Sequence, residues 1–248
     1  MKAMILAAGL GTRLRPLTDD RPKALVEVAG QTLLELALRR LRACGVREAI
    51  VNVHHHAETI VEYLESHDFG MRIEVSREEQ LLDTGGGLKK AAWFFREDGS
   101  GDEPFLLHNV DVISAVDPVR MARFHAEQGA LATLAVQDRE ASRYLLFDEH
   151  GQLCGWRGGR DGANELVRSA DPVTALGFCG IHAISPRIFA AMSEEGAFSI
   201  VDAYLRLAAE GEKIAAFRAD GCYWRDLGRP EIIAKAEQDL RDGSYSPN

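Results

Sequence analysis

The chain has 248 residues, 46% hydrophobic and 27% charged, an ordinary balance for a soluble globular enzyme of one large α/β domain or two small ones. Its formal net charge of −9, with no basic stripe, argues against nucleic acid as a partner. No apolar run reaches the roughly 18–20 residues that cross a bilayer, which argues against a membrane.

In chain order, residues 1–9 are too short and too soon interrupted by Gly9, Gly11 and Arg13 to serve as a signal peptide, and residues 3–8 read as a buried strand. Residues 9–22 form a long loop rich in Gly, Pro and Arg. Thr32, with Glu35 three residues on, predicts a capping box and a helix running towards Gly45. Strands are expected at 49–53, 72–75, 104–108 and 130–136, and helices at 58–66 and 87–95. A further helix is entered through Asp117-Pro118. Strands alternating with helices predict βαβ crossovers and a Rossmann-like, mainly parallel sheet flanked by helices, with ligands beyond the carboxyl ends of the strands.

After about residue 140 the pattern changes. Residues 144–147 and 153–156 read as a hairpin turning near His150-Gly151, residues 158–171 as a polar Gly-rich loop, and 173–184 as a strand. Helices are expected at 186–192, 199–209 and 230–241, and short strands at 214–218 and 222–226. The expected organisation is one unit over 1–248, with a nucleotide-binding half at 1–140 and a smaller mixed α/β substrate half at 141–248, for which the resemblance described below implies a sugar. Cys44, Cys154, Cys179 and Cys222 form no CxxC pair, which argues against a zinc site or disulfide framework and, without an export signal, for a reducing cytoplasm.

The chemistry concentrates in a few segments. Ala8-Gly9-Leu10-Gly11-Thr12-Arg13 follows the first strand, and Lys23 lies ten residues beyond Arg13. Glycines let backbone N–H groups approach phosphate oxygens, Arg13 offers a planar fork for them, and Lys23 adds a compact cation. There is no GK[ST] for a Walker loop, and Leu14 stands where a Rossmann motif has its third glycine. Asp111 follows the apolar run Phe105-Leu106-Leu107. Asp226 follows Tyr223-Trp224 and precedes Gly228 by two residues. Two such carboxylates can share one Mg²⁺ whose octahedron phosphate oxygens and water complete. Asp83-Thr84-Gly85-Gly86-Gly87 suggests backbone laid against a flat ligand. His54-His55-His56 cannot all face one ion from a strand and are read as a strand-to-helix loop, with one of the three near the substrate.

Taken together, GLGTRLRPLT followed by PK, Asp83–Gly87, Asn109-Val110-Asp111, Gly177-Phe178-Cys179-Gly180-Ile181 and Trp224-Arg225-Asp226-Leu227-Gly228 resemble the sugar-1-phosphate nucleotidylyltransferases over most of the chain. Val110 departs from the family's usual glycine. The resemblance implies an NTP and a sugar 1-phosphate as substrates and Mg²⁺ as cofactor. It implies Arg13, Lys23, Asp111 and Asp226 as catalytic residues, Asp111 and Asp226 being the metal ligands. Ala8, Gly9, Gly11, Thr12, Arg13, Asp83, Thr84, Gly85 and Gly86 would bind nucleotide, and Lys23 and Gly177 the sugar phosphate. His108 is expected to stand behind the site. Similarity to compact bacterial members implies UTP with N-acetylmuramate 1-phosphate. GTP with mannose 1-phosphate and dTTP with glucose 1-phosphate are the rivals. A cytidylyltransferase acting on a non-sugar phosphate and a non-catalytic nucleotide-sugar-binding regulatory subunit stay open, as does the oligomeric state.

Overall fold

The computed structural model describes residues 1–97 and 103–245. The first half consists of β1 (Lys2–Leu6), β2 (Glu27–Val28), β3 (Gln31–Thr32), α1 (Leu33–Ala43), β4 (Glu48–Val53), α2 (Ala57–Ser66), β5 (Arg72–Arg77), α3 (Asp83–Lys90), α4 (Ala92–Arg96), β6 (Phe105–Asn109), β7 (Val112–Ser114), α5 (Pro118–Gln128) and β8 (Ala132–Gln137). The second adds β9 (Arg143–Phe147), β10 (Leu153–Gly158), β11 (Asn164–Leu166), β12 (Thr174–Ile184), α6 (Ile188–Ala191), α7 (Ile200–Ala209), β13 (Ile214–Arg218), β14 (Trp224–Asp226) and α8 (Pro230–Arg241).

The fold is α/β, with helices on both faces of one ten-stranded sheet. Its centre, β6-β1-β4-β5, is parallel, as the βαβ alternation predicts. Along β1, Ala3 and Ile5 face one core, which α1 and α8 cover. Met4 faces a second core, closed by α3, α4 and α7. Burial on both faces explains why these strands read as continuous apolar runs. β12 joins the parallel centre to the antiparallel hairpin β9-β10. One of its edges pairs with β8, while the other pairs with β6 at Ile181↔His108 and with β9 at Gly177↔Tyr144. Among the described residues, no strand pairs with residues 178–180 on that second edge.

Several local expectations hold and others are corrected. Asp117 caps α5 by accepting from the N–H groups of Val119 (2.9 Å) and Arg120 (3.1 Å). At α1, Thr32 Oγ1 accepts from Glu35 N at 3.1 Å, but the Glu35 carboxylate turns to Arg39 and Tyr63, so only half the capping box forms. The helix expected at 87–95 starts instead at Asp83, so the glycine run lies inside α3. It breaks at Ala91 before α4. The polar segment 158–171 is not all loop, because Asn164–Leu166 adds β11 to the edge of β10. Its exposed, non-apolar sequence carries no strand signal. No helix among the described residues is long and apolar enough to cross a membrane.

His125 and His182 are buried as neutral rings. His125 contacts Thr133 Oγ1 and His182 contacts Tyr204 Oη, each at 3.0 Å. Burial pushes their pKa values down, to about 4 and about 3. Unfolded histidine takes its proton near about 6.5, so these rings stabilise the fold fully above that pH. The contribution is lost as pH falls towards the folded values. The melting temperature should therefore fall between about pH 6.5 and about pH 4, with a shallower slope in His125→Gln. Identical slopes in thermal melts of the two proteins would contradict this.

Candidate active site

β1 ends at Leu6 against the carboxyl end of β6, and the chain turns across the sheet edge there. Ala7 N donates to Asn52 Oδ1 at 2.7 Å, Asn52 Nδ2 donates to Glu78 Oε1 at 2.7 Å, and Glu78 Oε2 accepts from Leu82 N at 3.0 Å. This buried chain of bonds holds the glycine loop in register with the start of α3. Sequence reading missed Asn52 and Glu78. An Asn inside the apolar strand β4 was the available signal, since a buried polar group needs partners.

The glycine loop is compact. Gly11 has φ +67°, and a Cβ there would stand 3.0 Å from both Lys23 Cβ and Thr18 Cγ2. Thr18 Oγ1 also donates to Gly11 O at 2.9 Å. At Gly9 the place of a side chain is open space, so packing does not demand that glycine and the bare backbone faces the crevice. A short 3₁₀ turn, Thr12–Leu14, buries Leu14 and leaves Arg13 on the crevice side.

Asp111 follows β6 in the turn to β7, and its main-chain oxygen accepts from Leu227 N at 2.7 Å. β14 pairs with β7, setting Asp226 opposite Val112. Residues 115 positions apart are thereby brought side by side. Lys23 Nζ forms an ion pair with Asp111 Oδ2, both side chains being largely buried, and Gly228 N donates to Asp226 Oδ1 at 2.8 Å. Burial, and then the negative charge of Asp111, push the Asp226 carboxyl above the ordinary carboxylate range. Arg13 Nη2 stands 3.2 Å from where a Cβ of Gly228 would be, and its charge acts on Asp226 in the opposite sense. Asp226 keeps part of its surface open to solvent, and the two carboxylates act on one another as like charges, a repulsion that a divalent cation would relieve. Among the described residues no third His, Cys, Asp or Glu joins them, so bound phosphates and water would supply the remaining ligands.

Three cavities meet here. The first, about 610 Å³, includes Ala8, Gly9, Lys23, Asn52, Leu81, Asp83, Thr84, Val110 and Asp111 in its wall. A second, about 300 Å³, is walled by Gly9, Gly11, Thr12, Arg13, Lys23 and Gly228. The third, about 270 Å³, holds Asp226 and Trp224 with Arg139, Arg143 and Phe178, and shares Asn109 with the first. Leu81, 39% exposed although apolar, is a wall residue that the sequence did not single out.

The predicted residues do not all reach open space. Asp83 adopts φ +56° at the entry of α3, and both it and Thr84 face the first cavity. Thr84 Oγ1 also accepts from Ile200 N at 2.9 Å. Gly85 and Gly86 are buried behind them. A Cβ on Gly85 would lie 2.3 Å from the Phe198 ring and one on Gly86 2.3 Å from Gly196 O, so these two glycines serve the packing of α3. Over Gly177 lies the Arg139 guanidinium, 3.0 Å from the missing Cβ, so the glycine admits that arginine. His54 Nδ1 sits 2.9 Å from Glu78 O, and none of His54, His55 or His56 lines the third cavity. His108 is buried with Nδ1 2.8 Å from Asn109 O, and burial lowers its pKa to about 4, so it is neutral behind Asp111.

Residues 2–151 match the family described as Nucleotidyl transferase. The chain is 36% identical to the N-acetylmuramate alpha-1-phosphate uridylyltransferase of Caulobacter vibrioides, with 97% of each chain covered. The chain belongs to the nucleotidyl transferase family. It is also 31% identical to a mannose-1-phosphate guanyltransferase of Yarrowia lipolytica, over 93% of this chain and 61% of that longer protein. Among solved structures, the UDP-glucose pyrophosphorylase from Acinetobacter baumanii shares the fold with a TM-score of 0.78 at 19% identity, over 96% of this chain and 92% of that one. The relatives are nucleotide-transferring enzymes, and this nucleotidyl transferase is an enzyme of the sugar-1-phosphate class.

Proposed function

We propose that the chain joins UTP to N-acetylmuramate 1-phosphate in the cytoplasm, releasing pyrophosphate, with Mg²⁺ held by Asp111 and Asp226. The observation that carries the reaction is the convergence of Lys23, Arg13, Asp111 and Asp226 where the cavities meet. Both the chemistry and the length of the Caulobacter relative, matched end to end, support the choice of substrates over the guanylyl and thymidylyl alternatives.

In this reading residues 1–140 chiefly bind nucleotide and residues 141–248 chiefly bind sugar. The nucleoside occupies the first cavity, its base against Leu81, Asp83 and Thr84 and its phosphates over Ala8 and Gly9. The outer phosphates lie in the cavity of Gly11, Thr12 and Arg13. Gly85 and Gly86 shape the nucleotide cavity from behind, and Gly177 shapes the sugar cavity by admitting Arg139. The sugar phosphate oxygen is already ionised at neutral pH and attacks the α-phosphorus without a general base. Held by Asp111 and Asp226, Mg²⁺ would supply neutralisation of the phosphate charge. Lys23 neutralises charge at the α-phosphate and the sugar phosphate, and Arg13 stabilises the departing pyrophosphate.

Arg13→Ala should raise the KM for the nucleotide and lower kcat, together costing about 10²-fold in kcat/KM, with normal folding by circular dichroism. An unchanged kcat/KM would remove Arg13 from the phosphate site. The substrates are tested by pyrophosphate release with Mg²⁺, running UTP, dTTP, GTP, CTP and ATP against a panel of sugar 1-phosphates. Turnover greatest for UTP with N-acetylmuramate 1-phosphate is expected. A preference for GTP with mannose 1-phosphate, or dTTP with glucose 1-phosphate, would reassign the substrates within the same reaction.

A further inference from the structure

The third cavity carries more positive charge than a neutral sugar needs. It occupies the break along the edge of β12 where residues 178–180 have neither β6 nor β9 beside them. At about 3.3 Å per residue that gap is roughly 10 Å long, enough for a hexose ring. Asn109 closes the end nearest Asp111 and Asp226, while Ser142 and Arg143 stand at the end where β9 begins. A sugar phosphate directed at Asp226 would turn the far side of its ring towards Arg143.

The arginines here differ in what they already do. Arg139 donates to the carbonyl oxygens of Glu140 (3.0 Å) and Phe178 (2.5 Å), and its guanidinium lies 3.7 Å from the centre of the Trp224 ring. It is committed to the wall. Arg160 pairs with Glu140 and Arg168 with Asp148. Arg143 stacks on Trp156, 4.6 Å from its centre, yet among the described residues it has neither a hydrogen-bond acceptor nor a carboxylate partner. The cavity wall contains a single carboxylate, that of Asp226 at the opposite end. Stacking on an indole restrains a guanidinium while leaving its N–H edges free for a planar two-oxygen acceptor.

We propose that Arg143 is a specificity-determining residue that binds a carboxylate borne on the ring of the sugar 1-phosphate, assisted by the Ser142 hydroxyl. This rests on the third cavity being the sugar site of the proposed reaction. Two kinds of hexose carry such a group: those with a lactyl ether and those oxidised at C6. Both present the same carboxylate chemistry.

The test uses the full chain with Mg²⁺ and its best nucleotide, comparing N-acetylmuramate 1-phosphate with N-acetylglucosamine 1-phosphate, and glucuronate 1-phosphate with glucose 1-phosphate. The wild type should prefer the acidic member of at least one pair. In Arg143→Gln that preference should collapse by about 10- to 100-fold, the worth of one charge-assisted contact, mainly through KM. Arg143→Lys should recover part of it. The pair that responds identifies the kind of acid. An equal loss on acidic and neutral sugars would place Arg143 on the shared phosphate and overturn the proposal, as would no loss on either. A wild type that prefers neutral sugars overturns it while leaving the reaction standing. No turnover with any sugar 1-phosphate sinks the underlying reading as well.

Discussion

Replacing Asp111 by Asn should lower kcat by about 10²–10³-fold while leaving the protein folded. The Asp111 backbone is held independently of its side chain, by the bond from Leu227 N at 2.7 Å and by the pairing of β7 with β14. Asn has the same shape as Asp, so these contacts persist. The charge is lost, and with it the ion pair to Lys23 and half of the carboxylate pair that would hold the metal. Asp226 is raised partly by the negative charge of Asp111, so removing that charge relieves a repulsion and opposes any loss of stability. Chelation of divalent ions should stop the wild type in the same assay, and the variant should need more Mg²⁺ for its residual rate. A thermal melt near that of the wild type, with turnover nearly abolished, is the expected pair of results. Turnover near that of the wild type would exclude Asp111 as a metal ligand.

The second large effect is on stability. Gly86→Ala should destabilise the protein by about 2–3 kcal/mol, or roughly 5–10 °C in Tm for a chain of this size. In an ordinary helix the exchange would help by about 1 kcal/mol, since alanine is the better helix former. Here the new methyl would lie 2.3 Å from Gly196 O, a backbone atom, and 3.0 Å from Leu82 Cβ. A carbonyl oxygen cannot rotate aside as a side chain can. The segment it belongs to is held to α3 by the bonds from Gly85 N to Phe198 O at 2.9 Å and from Phe198 N to Leu82 O at 3.1 Å. Relief therefore means moving α3, which carries Asp83 and Thr84 into the first cavity, the one proposed to hold the nucleotide, and KM for the nucleotide should rise with the loss of stability. Gly85→Ala should cost less, because its closest neighbour is the Phe198 ring, which can swing. A Gly86→Ala protein that melts at or above the wild-type temperature would refute the packing account.

Much of the site was legible as chain because its parts are local. The loop of Gly9, Gly11 and Arg13 must follow a strand and must bend where Gly11 takes φ +67°, and both demands are written in consecutive residues. Asp111 after an apolar strand is legible for the same reason. The βαβ alternation likewise implies the parallel centre of the sheet, since burial on both faces requires the apolar runs of β1, β4 and β6.

Only tertiary structure decided how distant segments meet. The approach of Asp226 to Asp111 depends on β14 pairing with β7, and of these two three-residue strands the sequence signalled only β14. The glycines of α3 and Gly177 are needed by Phe198, Gly196 and Arg139, residues far away in the chain, so no local pattern could separate packing from contact with a ligand. The break along β12 that opens the third cavity follows from β6 and β9 pairing with different ends of one edge. By itself the sequence determined which chemical groups the protein carries and which strand ends present them. Long-range pairing, which depends on shape complementarity between segments distant in the chain, decided which of those groups share a cavity.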